Sequence, residues 1–272
     1  MMDLERVEAY MAKVEQSEKT TYPPVGEKLK VGLDLGTAYI VIVVLDEENN
    51  PVACEKQAAG VLKDGVVVDY TGALRIVREL KEKLEKRIGR ELSECAIAMP
   101  AGTESSVRTH KYVAEGAGFE VTNVLDEPSA ANSVYQIENG VVVDIGGGTT
   151  GLAVIKNGKV VQTEDQPTGG THLSLVLAGN YKISFDEAEA IKQDYSRPRE
   201  ILPIVKAVIE KMASIINRYV DKSSTDTIYL CGGTCCLTGI EKIIEKETGI
   251  KTIKPQNPFL VTPAGIAMNC II

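Results

Sequence analysis

At residues 141–149 the chain reads Val141-Val142-Val143-Asp144-Ile145-Gly146-Gly147-Gly148-Thr149. An apolar run of the kind found in buried strands ends in a carboxylate, and three glycines and a threonine follow directly. Glycine has no Cβ and tolerates positive φ, so successive backbone N–H groups can converge on one point. Such a nest binds anions, phosphate in particular, and the threonine hydroxyl adds a donor. We therefore predict a strand that leads into a phosphate-binding turn.

The same pattern occurs once more, nearer the N-terminus. Residues 31–37 read Val31-Gly32-Leu33-Asp34-Leu35-Gly36-Thr37, and Asp34 and Asp144 stand 110 positions apart. In both copies the glycine turn is followed by an apolar run, a polar turn and a further apolar run, which predicts three consecutive strands. A duplication at this spacing indicates two lobes of one design, because the repeats of solenoid proteins are much shorter.

After its three strands, each half alternates between helical and strand patterns. Leu74, Val77, Leu80, Leu84 and Ile88 recur at helical spacing. Further helices are expected at 105–117, 128–137, 173–178, 185–192, 201–220 and 240–247, with short strands at 94–99, 121–125, 227–230 and 251–253. The chain is thus predicted to be an α/β protein with two lobes, each a mixed five-stranded sheet flanked by helices. Two such lobes face each other across a cleft, and clefts are preferred ligand sites.

Composition narrows the classes of protein. The chain has 272 residues, of which 44% are hydrophobic, and its formal net charge is −8. A nucleic-acid binder would show a basic stripe, so no nucleic-acid partner is expected. No apolar run reaches the roughly 20 residues that span a bilayer, and the N-terminus lacks the apolar core of a signal peptide. We expect a cytoplasmic protein with no membrane partner.

The six cysteines fit that compartment. No Cys-x-x-Cys pair occurs, which argues against a metal–thiolate site. Cys235-Cys236 follows a Gly-Gly-Thr turn, where both could be exposed. The other four cysteines lie in apolar surroundings and are expected in the core: Cys54, Cys95, Cys231 and Cys270.

A carboxylate precedes each nest. Asp34 or Asp144 beside a phosphate would repel it unless a cation lay between them, so both are predicted to hold Mg²⁺ through its waters. The simpler explanation of one such motif is an ordinary hairpin turn capped by aspartate. Two motifs in register, one of them with three glycines, favour the phosphate and metal site.

A third motif, Asp126-Glu127-Pro128-Ser129-Ala130-Ala131, ends a strand and starts a helix. Its two alanines permit a close helix crossing, as expected at a hinge. Glu127 could be a carboxylate favoured by the helix dipole. Beside two phosphate nests, it is better interpreted as a residue that positions water at the terminal phosphate.

Together these segments resemble the nucleotide signature of the actin, Hsp70 and sugar-kinase superfamily. The resemblance implies that the two lobes are ribonuclease-H-like, as in the actin-like ATPase fold. Asp34–Thr37 and Asp144–Thr149 resemble its two phosphate motifs, and residues 127–131 and 263–267 resemble its two connecting helices. Cys231-Gly232-Gly233-Thr234 resembles its adenosine motif. The resemblance implies ATP or ADP with Mg²⁺ as cofactors and assigns catalysis to Asp34, Glu127 and Asp144. It implies nucleotide contacts from Gly36, Thr37, Gly146, Gly147, Gly148, Thr149, Gly232, Gly233 and Thr234.

The superfamily also uses a Glu-x-x-Lys pair on a helix to hold ribose and adenine. Glu189-Ala190-Ile191-Lys192 matches that spacing. The alternative is a plain surface ion pair at i, i+3.

Three further segments narrow the resemblance: residues 60–70, the Gly169-Gly170-Thr171-His172 turn and residues 183–189. They resemble the EutJ family, the Hsp70-like proteins of ethanolamine-utilisation operons, which also encode a microcompartment and a cobalamin-dependent lyase. The resemblance implies a chaperone-like assembly or reactivation factor that uses ATP hydrolysis. Its expected partners are ethanolamine ammonia-lyase or shell proteins, and association with a bacterial microcompartment would follow.

The chain departs from the larger superfamily members in its length between motifs. Too few residues separate Thr37 from Asp64, or Lys192 from Cys231, for full upper subdomains, which are therefore expected to be reduced or missing. No lysine matches the Hsp70 catalytic lysine, since Lys63 lacks the motif. The chain ends after the second connecting helix, so no peptide-binding domain is expected. A nucleotide-binding scaffold or polymer with little turnover is the main alternative function. A small-molecule kinase is disfavoured, because such enzymes build acceptor pockets from inserted subdomains.

The N-terminal segment has two interpretations. Leu4, Val7, Met11 and Val14 share one helical face. The helix could pack on lobe I, or it could be an amphipathic tag that docks on a partner or a shell. The expected division is an N-terminal helix and linker at 1–28, lobe I at 29–139 plus 259–272, and lobe II at 140–258.

Overall fold

The structure, a computed structural model, describes residues 3–101, 107–194 and 197–272. Within these ranges the strands are β1 (Leu29–Leu35), β2 (Tyr39–Asp46), β3 (Pro51–Ala58), β4 (Leu62–Lys63), β5 (Val66–Val67), β6 (Glu94–Met99), β7 (Glu120–Asp126), β8 (Gly140–Ile145), β9 (Thr150–Lys156), β10 (Lys159–Gln166), β11 (Thr227–Cys231) and β12 (Lys251–Ile253). The helices are α1 (Leu4–Gln16), α2 (Tyr70–Ile88), α3 (Val107–Gly116), α4 (Glu127–Tyr135), α5 (Gly170–Tyr181), α6 (Phe185–Lys192), α7 (Pro198–Tyr219), α8 (Ile240–Thr248) and α9 (Val261–Met268), with a short 3-10 helix at Gly233–Cys236.

The two halves of the chain form sheets of the same design. The first has the order β3-β2-β1-β6-β7, and the second has the order β10-β9-β8-β11-β12. In each, the first three strands form an antiparallel meander and the last two join in parallel. The predicted mixed five-stranded sheets are therefore confirmed. Consequently Asp34 and Asp144 lie at equivalent positions, near the C-terminal ends of the central strands β1 and β8.

The helices form where periodicity and capping residues agree. α2 starts at Asp69, whose side chain accepts a hydrogen bond from the Gly72 N–H, and ends at Gly89 in the left-handed conformation. Its apolar stripe covers one face of the first sheet. α6, β6 and β12 have the predicted bounds. The start of the helix predicted at 105–117 lies outside the described residues, and α3 covers the rest.

Three helices begin earlier in the structure than the sequence predicted. α5 begins at Gly170, three residues before the predicted start, because the Gly170 and Thr171 N–H groups donate to the Gly146 and Gly147 carbonyls of the second nest. α7 also begins earlier, at Pro198, a residue suited to the first turn of a helix. α4 begins at Glu127, capped by Asp126, so the glutamate belongs to the helix itself.

A third apolar cluster joins the halves. Val41 and Val43 of β2 lie in it with Val142 and Ile155 of the second sheet. α4 and α9 cross within contact distance, since a Cβ on Gly265 would stand 1.9 Å from the Ala130 carbonyl oxygen. This crossing explains the small residues of both connecting segments, because any larger side chain would separate the helices.

The N-terminal helix α1 packs on the protein. Val7, Met11 and Val14 are at most 1% exposed. The Arg6 guanidinium donates to the Val134 carbonyl at 2.7 Å, and Glu8 accepts from the Gln256 N–H at 2.8 Å. The packing interpretation thus describes α1, with the difference that it touches the loop before α9 as well as lobe I.

The segment between β3 and α2 is short. Its described residues form only the small β4–β5 hairpin, which leaves no room for a full inserted subdomain.

The expectation that Cys235 is exposed is wrong, because the 3-10 helix turns its side chain into the core of the second half, whereas Cys236 is half-buried. None of the described helices combines the length and apolarity needed to cross a bilayer.

Candidate functional site

A cavity of about 680 Å³ lies between the two sheets. Every residue that the sequence predicted for the site lines it: Asp34, Gly36, Thr37, Glu127, Asp144, Gly146, Gly147, Gly148, Thr149, Glu189, Lys192, Gly232, Gly233 and Thr234. The volume is in the range of small-molecule pockets. Groups that are up to 200 residues apart in the chain thus line the same cavity.

The first nest is a tight turn between β1 and β2. A Cβ on Gly36 would lie 2.7 Å from the Tyr39 carbonyl oxygen. Only glycine fits without moving the backbone, so the turn keeps its amide groups close to the cavity. Asp34 stands just before this turn and Thr37 within it.

The second nest is held from behind by α5. The Gly170 and Thr171 N–H groups donate to the Gly146 and Gly147 carbonyls at 2.9 and 2.8 Å. The Thr234 hydroxyl also donates to the Gly146 carbonyl, at 2.8 Å. Two carbonyls of the turn therefore already accept hydrogen bonds from within the protein.

The two nests meet across the cleft. A Cβ on Gly148 would lie 2.8 Å from the Thr37 hydroxyl oxygen and 2.9 Å from the Asp64 Cα. A Cβ on Gly147 would lie 3.0 Å from that of Ala38. The absence of side chains on these two glycines lets the lobes approach, so one ligand can touch both turns.

Three carboxylates converge where the nests meet. Burial and the charge of Asp144 raise the pKa of Asp34 to about 7. Burial, followed by the charges of Asp144 and Asp34, raises the pKa of Glu127 well above its ordinary value. Burial also raises the pKa of Asp144, against hydrogen bonds from Thr262 and Cys231. The carboxylates are close enough to repel one another, which is the condition under which a site gains from a cation.

The donor set fits magnesium held through water. Among the described residues no three His, Cys, Asp or Glu side chains are grouped so that they could ligate an ion directly. Mg²⁺ keeps several of its waters and commonly takes one or two carboxylates together with phosphate oxygens. Asp34 and Asp144 would hold such a hydrated ion, which would supply positive charge between the carboxylates and a phosphate.

The Glu189–Lys192 pair faces the cavity and is not a plain surface pair. Lys192 Nζ lies 2.8 Å from the Glu189 carboxylate and 3.1 Å from the Gly170 carbonyl oxygen, and its side chain is 11% exposed. The Ser174 hydroxyl donates to the same carboxylate at 2.5 Å. Burial lowers the pKa of Lys192, although Glu189 opposes this shift. The pair is thus positioned by α5 and α6 beside the second nest and the Gly232–Thr234 segment.

Sequence reasoning missed several residues of the cavity lining, among them Tyr39, Lys56, Gln193 and Phe259. The Tyr39 ring meets Phe259 edge to face, with centroids 5.4 Å apart, and its hydroxyl donates to Gln193 at 3.4 Å across the cleft. Lys56 lies 5.2 Å from the Phe259 ring centre and 2.8 Å from Glu18. Tyr39 of β2 and Lys56 of β3 lie on neighbouring strands, where Lys56 pairs with Val41, two residues beyond Tyr39. Because strand pairing brings them together, no local sequence motif indicates their proximity.

Comparison with known proteins places the chain in a family. It is 42% identical over 242 residues to the ethanolamine utilization protein EutJ of Escherichia coli strain K12, covering 89% of this chain and 86% of that protein. The chain belongs to the EutJ family. The crystal structure of EutJ from Carboxydothermus hydrogenoformans matches with a TM-score of 0.91 at 47% identity, over 98% of this chain and 99% of that one.

More distant matches show which proteins have the same fold as this EutJ-family chain. A family model described as type IV pilus assembly protein PilM matches residues 109–264. MreB5 of Spiroplasma citri, solved bound to AMPPNP, matches with a TM-score of 0.71 at 18% identity, over 90% of this chain and 96% of that one. The EutJ-family chain therefore has the actin-like ATPase fold predicted from its two phosphate motifs.

Proposed function

We propose that this EutJ-family protein binds ATP or ADP together with Mg²⁺ in the cavity between its lobes. The observation that carries the proposal is that all the predicted nucleotide residues line one cavity. The AMPPNP bound to the structurally similar MreB5 supports the ligand class. The division into lobes at residues 28, 139 and 258 stays a prediction.

Each part of the site has a role in this proposal. Backbone N–H groups of both nests, with the Thr37 and Thr149 side chains, bind the phosphates. Asp34 and Asp144 orient the hydrated metal ion. Glu127, at the start of α4, positions a water at the terminal phosphate. The nucleoside lies against Gly232, Gly233 and Thr234, and the Glu189–Lys192 pair holds its ribose and base.

Thermal unfolding with and without millimolar Mg-ATP tests the proposal. A ligand selective for the folded state must raise the melting temperature. Asp144→Ala should reduce the Mg²⁺-dependent part of the rise by removing an anchor of the hydrated ion. Asp186→Ala is the matched control, because Asp186 is an exposed residue of α6 outside the cavity lining. Absence of any rise in the wild-type protein would contradict nucleotide binding.

At a finer level, we propose an ATP-driven assembly or reactivation factor for enzymes of a bacterial microcompartment. The name of the E. coli relative, ethanolamine utilization protein, supports a role in ethanolamine utilisation. The candidate partners in this proposal are ethanolamine ammonia-lyase and shell proteins. Phosphate release measured alone and with each candidate partner tests this. A client should stimulate release by severalfold, and equal rates with and without every candidate would contradict the proposal.

One observation favours the alternative of a scaffold or polymer with little turnover. Of the lysines that line the described cavity, Lys56 is paired with Glu18 and Lys192 with Glu189. Lys63 is exposed and does not line it. Neither cavity lysine is therefore available as a free catalytic cation. ATP-dependent sedimentation without phosphate release would identify this alternative.

A further inference from the structure

The β4–β5 hairpin is fixed to the first half of the protein. Leu62 of β4 is buried in the core of that half. The Val68 N–H donates to the Val61 carbonyl at 2.9 Å, which joins the residues on either side of the hairpin. Near the turn, a Cβ on Gly65 would lie 2.5 Å from the Pro100 Cγ. Packing at both ends therefore gives the hairpin a defined position.

The tip of the hairpin reaches across to the second nest. Asp64 and Gly65 have φ values of 48° and 76° and form a two-residue turn between β4 and β5, a common connection in hairpins. A Cβ on Gly148 would lie 2.9 Å from the Asp64 Cα, 3.0 Å from the Asp64 Oδ1 atom and 2.8 Å from the Thr37 hydroxyl oxygen. The Asp64 carboxylate thus stands at the place where the two nests meet.

The proposed nucleoside site adjoins the opposite end of the second nest. The Thr234 hydroxyl donates to the Gly146 carbonyl at 2.8 Å, so the segment that would contact the nucleoside lies at the first glycine of the nest. Asp64 lies at the last glycine, Gly148. A phosphate chain that starts at the nucleoside passes Gly146 before Gly148. The phosphate farthest from the nucleoside would therefore stand nearest to Asp64.

We propose that Asp64 is a specificity-determining residue of the nucleotide site, which lowers the preference of the protein for a nucleoside triphosphate over a diphosphate. This inference rests on the proposed nucleotide function. The backbone N–H groups of a nest attract anions, and the Asp64 carboxylate already lies beside Gly148. Like charges a few ångströms apart repel strongly where water is partly excluded. The third phosphate of ATP is therefore bound with the hairpin tip displaced from Gly148, whereas ADP leaves the tip in place.

Calorimetric titration with Mg²⁺ and either ADP or a non-hydrolysable ATP analogue tests the inference without needing turnover. Asp64→Asn removes the charge and keeps the turn, because asparagine also tolerates the left-handed conformation. The affinity of this variant for the analogue should rise about tenfold, while its affinity for ADP should change by less than about threefold. Asp186→Asn is the matched control, since it removes the same charge from an exposed position outside the cavity lining. Both affinities of the control should stay within about threefold of wild type.

Amide hydrogen exchange in the wild-type protein gives a second readout, which stays available if Asp64→Asn does not fold. Exchange at residues 62–67 should be faster with the analogue than with ADP, because only the third phosphate displaces the tip. Two results would overturn the inference. One is equal exchange with both bound nucleotides, and the other is an unchanged or weaker affinity of Asp64→Asn for the analogue, which would mark Asp64 as a group that helps to hold the metal. A wild-type protein that binds neither nucleotide would instead contradict the proposed function itself.

Discussion

At the scale of single residues, the site is defined by carboxylates kept close together away from water. Asp34, Asp144 and Glu127 repel one another, and burial makes each charge more costly. A protein tolerates such a cluster where a ligand repays the cost. The glycines of the nests also allow the two lobes to come close, because Gly148 has no side chain to keep Thr37 of the other lobe away. These residues are the basis of the proposed nucleotide ligand and of its proposed dependence on Mg²⁺.

The ligand-free protein should become less stable as the pH rises from about 4 to 7. The pKa values of Asp34 and Asp165 are about 7 in the folded state and near 3.8 when unfolded. The folded state therefore binds more protons in this window, and stability must fall with rising pH. Thermal unfolding at pH 5 and pH 7.5 should show a loss of several degrees, as 1 kcal/mol corresponds to about 2–4 °C at this size. Asp34→Asn should flatten the profile, and a profile that rises in both proteins would contradict the cause given.

Glu127→Gln should separate binding from hydrolysis. The amide keeps the size of the side chain and the start of α4, so nucleotide affinity should change by less than about threefold. Turnover should fall by about 10²-fold, the usual contribution of a group that orients or deprotonates water. Single-turnover phosphate release measures the effect. Equal rates in the two proteins would show that Glu127 is a helix-start carboxylate with no catalytic role.

At the scale of elements, helix contacts explain why small residues occupy the connecting segments. α4 and α9 cross where Gly265 faces the Ala130 backbone, and α5 bonds to the back of the second nest through Gly170 and Thr171. The helix crossing thus holds α4, which begins with Glu127, and α5 holds the glycine turn of the second nest. The cavity is therefore lined mainly by the ends of strands and helices.

Gly265→Ala should destabilise the protein, while Gly179→Ala should not. A methyl group at 265 would lie 1.9 Å from the Ala130 carbonyl oxygen, whereas nothing lies within 4 Å of one at 179. Overpacking of this kind costs about 1–3 kcal/mol or more. Alanine in an open helical position gains about 0.4–1 kcal/mol. Urea unfolding of both variants measures the difference, and equal midpoints would refute the close crossing.

The helix α1 should contribute stability through its buried face. Met11 is 1% exposed and Leu4 is 37% exposed. Met11→Ala should therefore cost about 2–4 kcal/mol, while Leu4→Ala should stay within about 0.5 kcal/mol. Chemical unfolding of the two variants provides the measurement. A Met11→Ala protein as stable as wild type would favour the interpretation of α1 as a detachable docking tag.

At the scale of the whole molecule, several connections among the described residues span the cleft. α4 and α9 link the sheets, and α1 adds contacts to both the Val134 carbonyl and the Gln256 N–H. Tyr39 and Gln193 join the cavity walls directly. Any motion of the lobes must therefore hinge at the helix crossing and strain or release these contacts.

ATP and ADP states should differ in lobe angle. A terminal phosphate touched by both nests favours the closed arrangement, and a ligand shifts the equilibrium only by its differential affinity. Small-angle scattering of the ligand-free, ADP and ATP-analogue forms should show the most compact particle with the analogue. Glu8→Ala, which removes one contact of α1, should enlarge the difference between states. Identical scattering in all three forms, with binding verified, would instead favour a static scaffold.

The sequence determined the elements and most of the site, because its signals are local. Glycine turns after aspartate, the repeated strand meander and the Glu-x-x-Lys spacing each lie within a few residues, so Asp34, Asp144 and Lys192 could be found by reading along the chain. Tyr39, Lys56 and Phe259 were not predicted. Those residues become neighbours only through strand register and the closure of two lobes. The contacts of α1 with Gln256, 248 positions from Glu8, required the folded protein, because contacts between distant residues leave no periodic pattern in a single sequence.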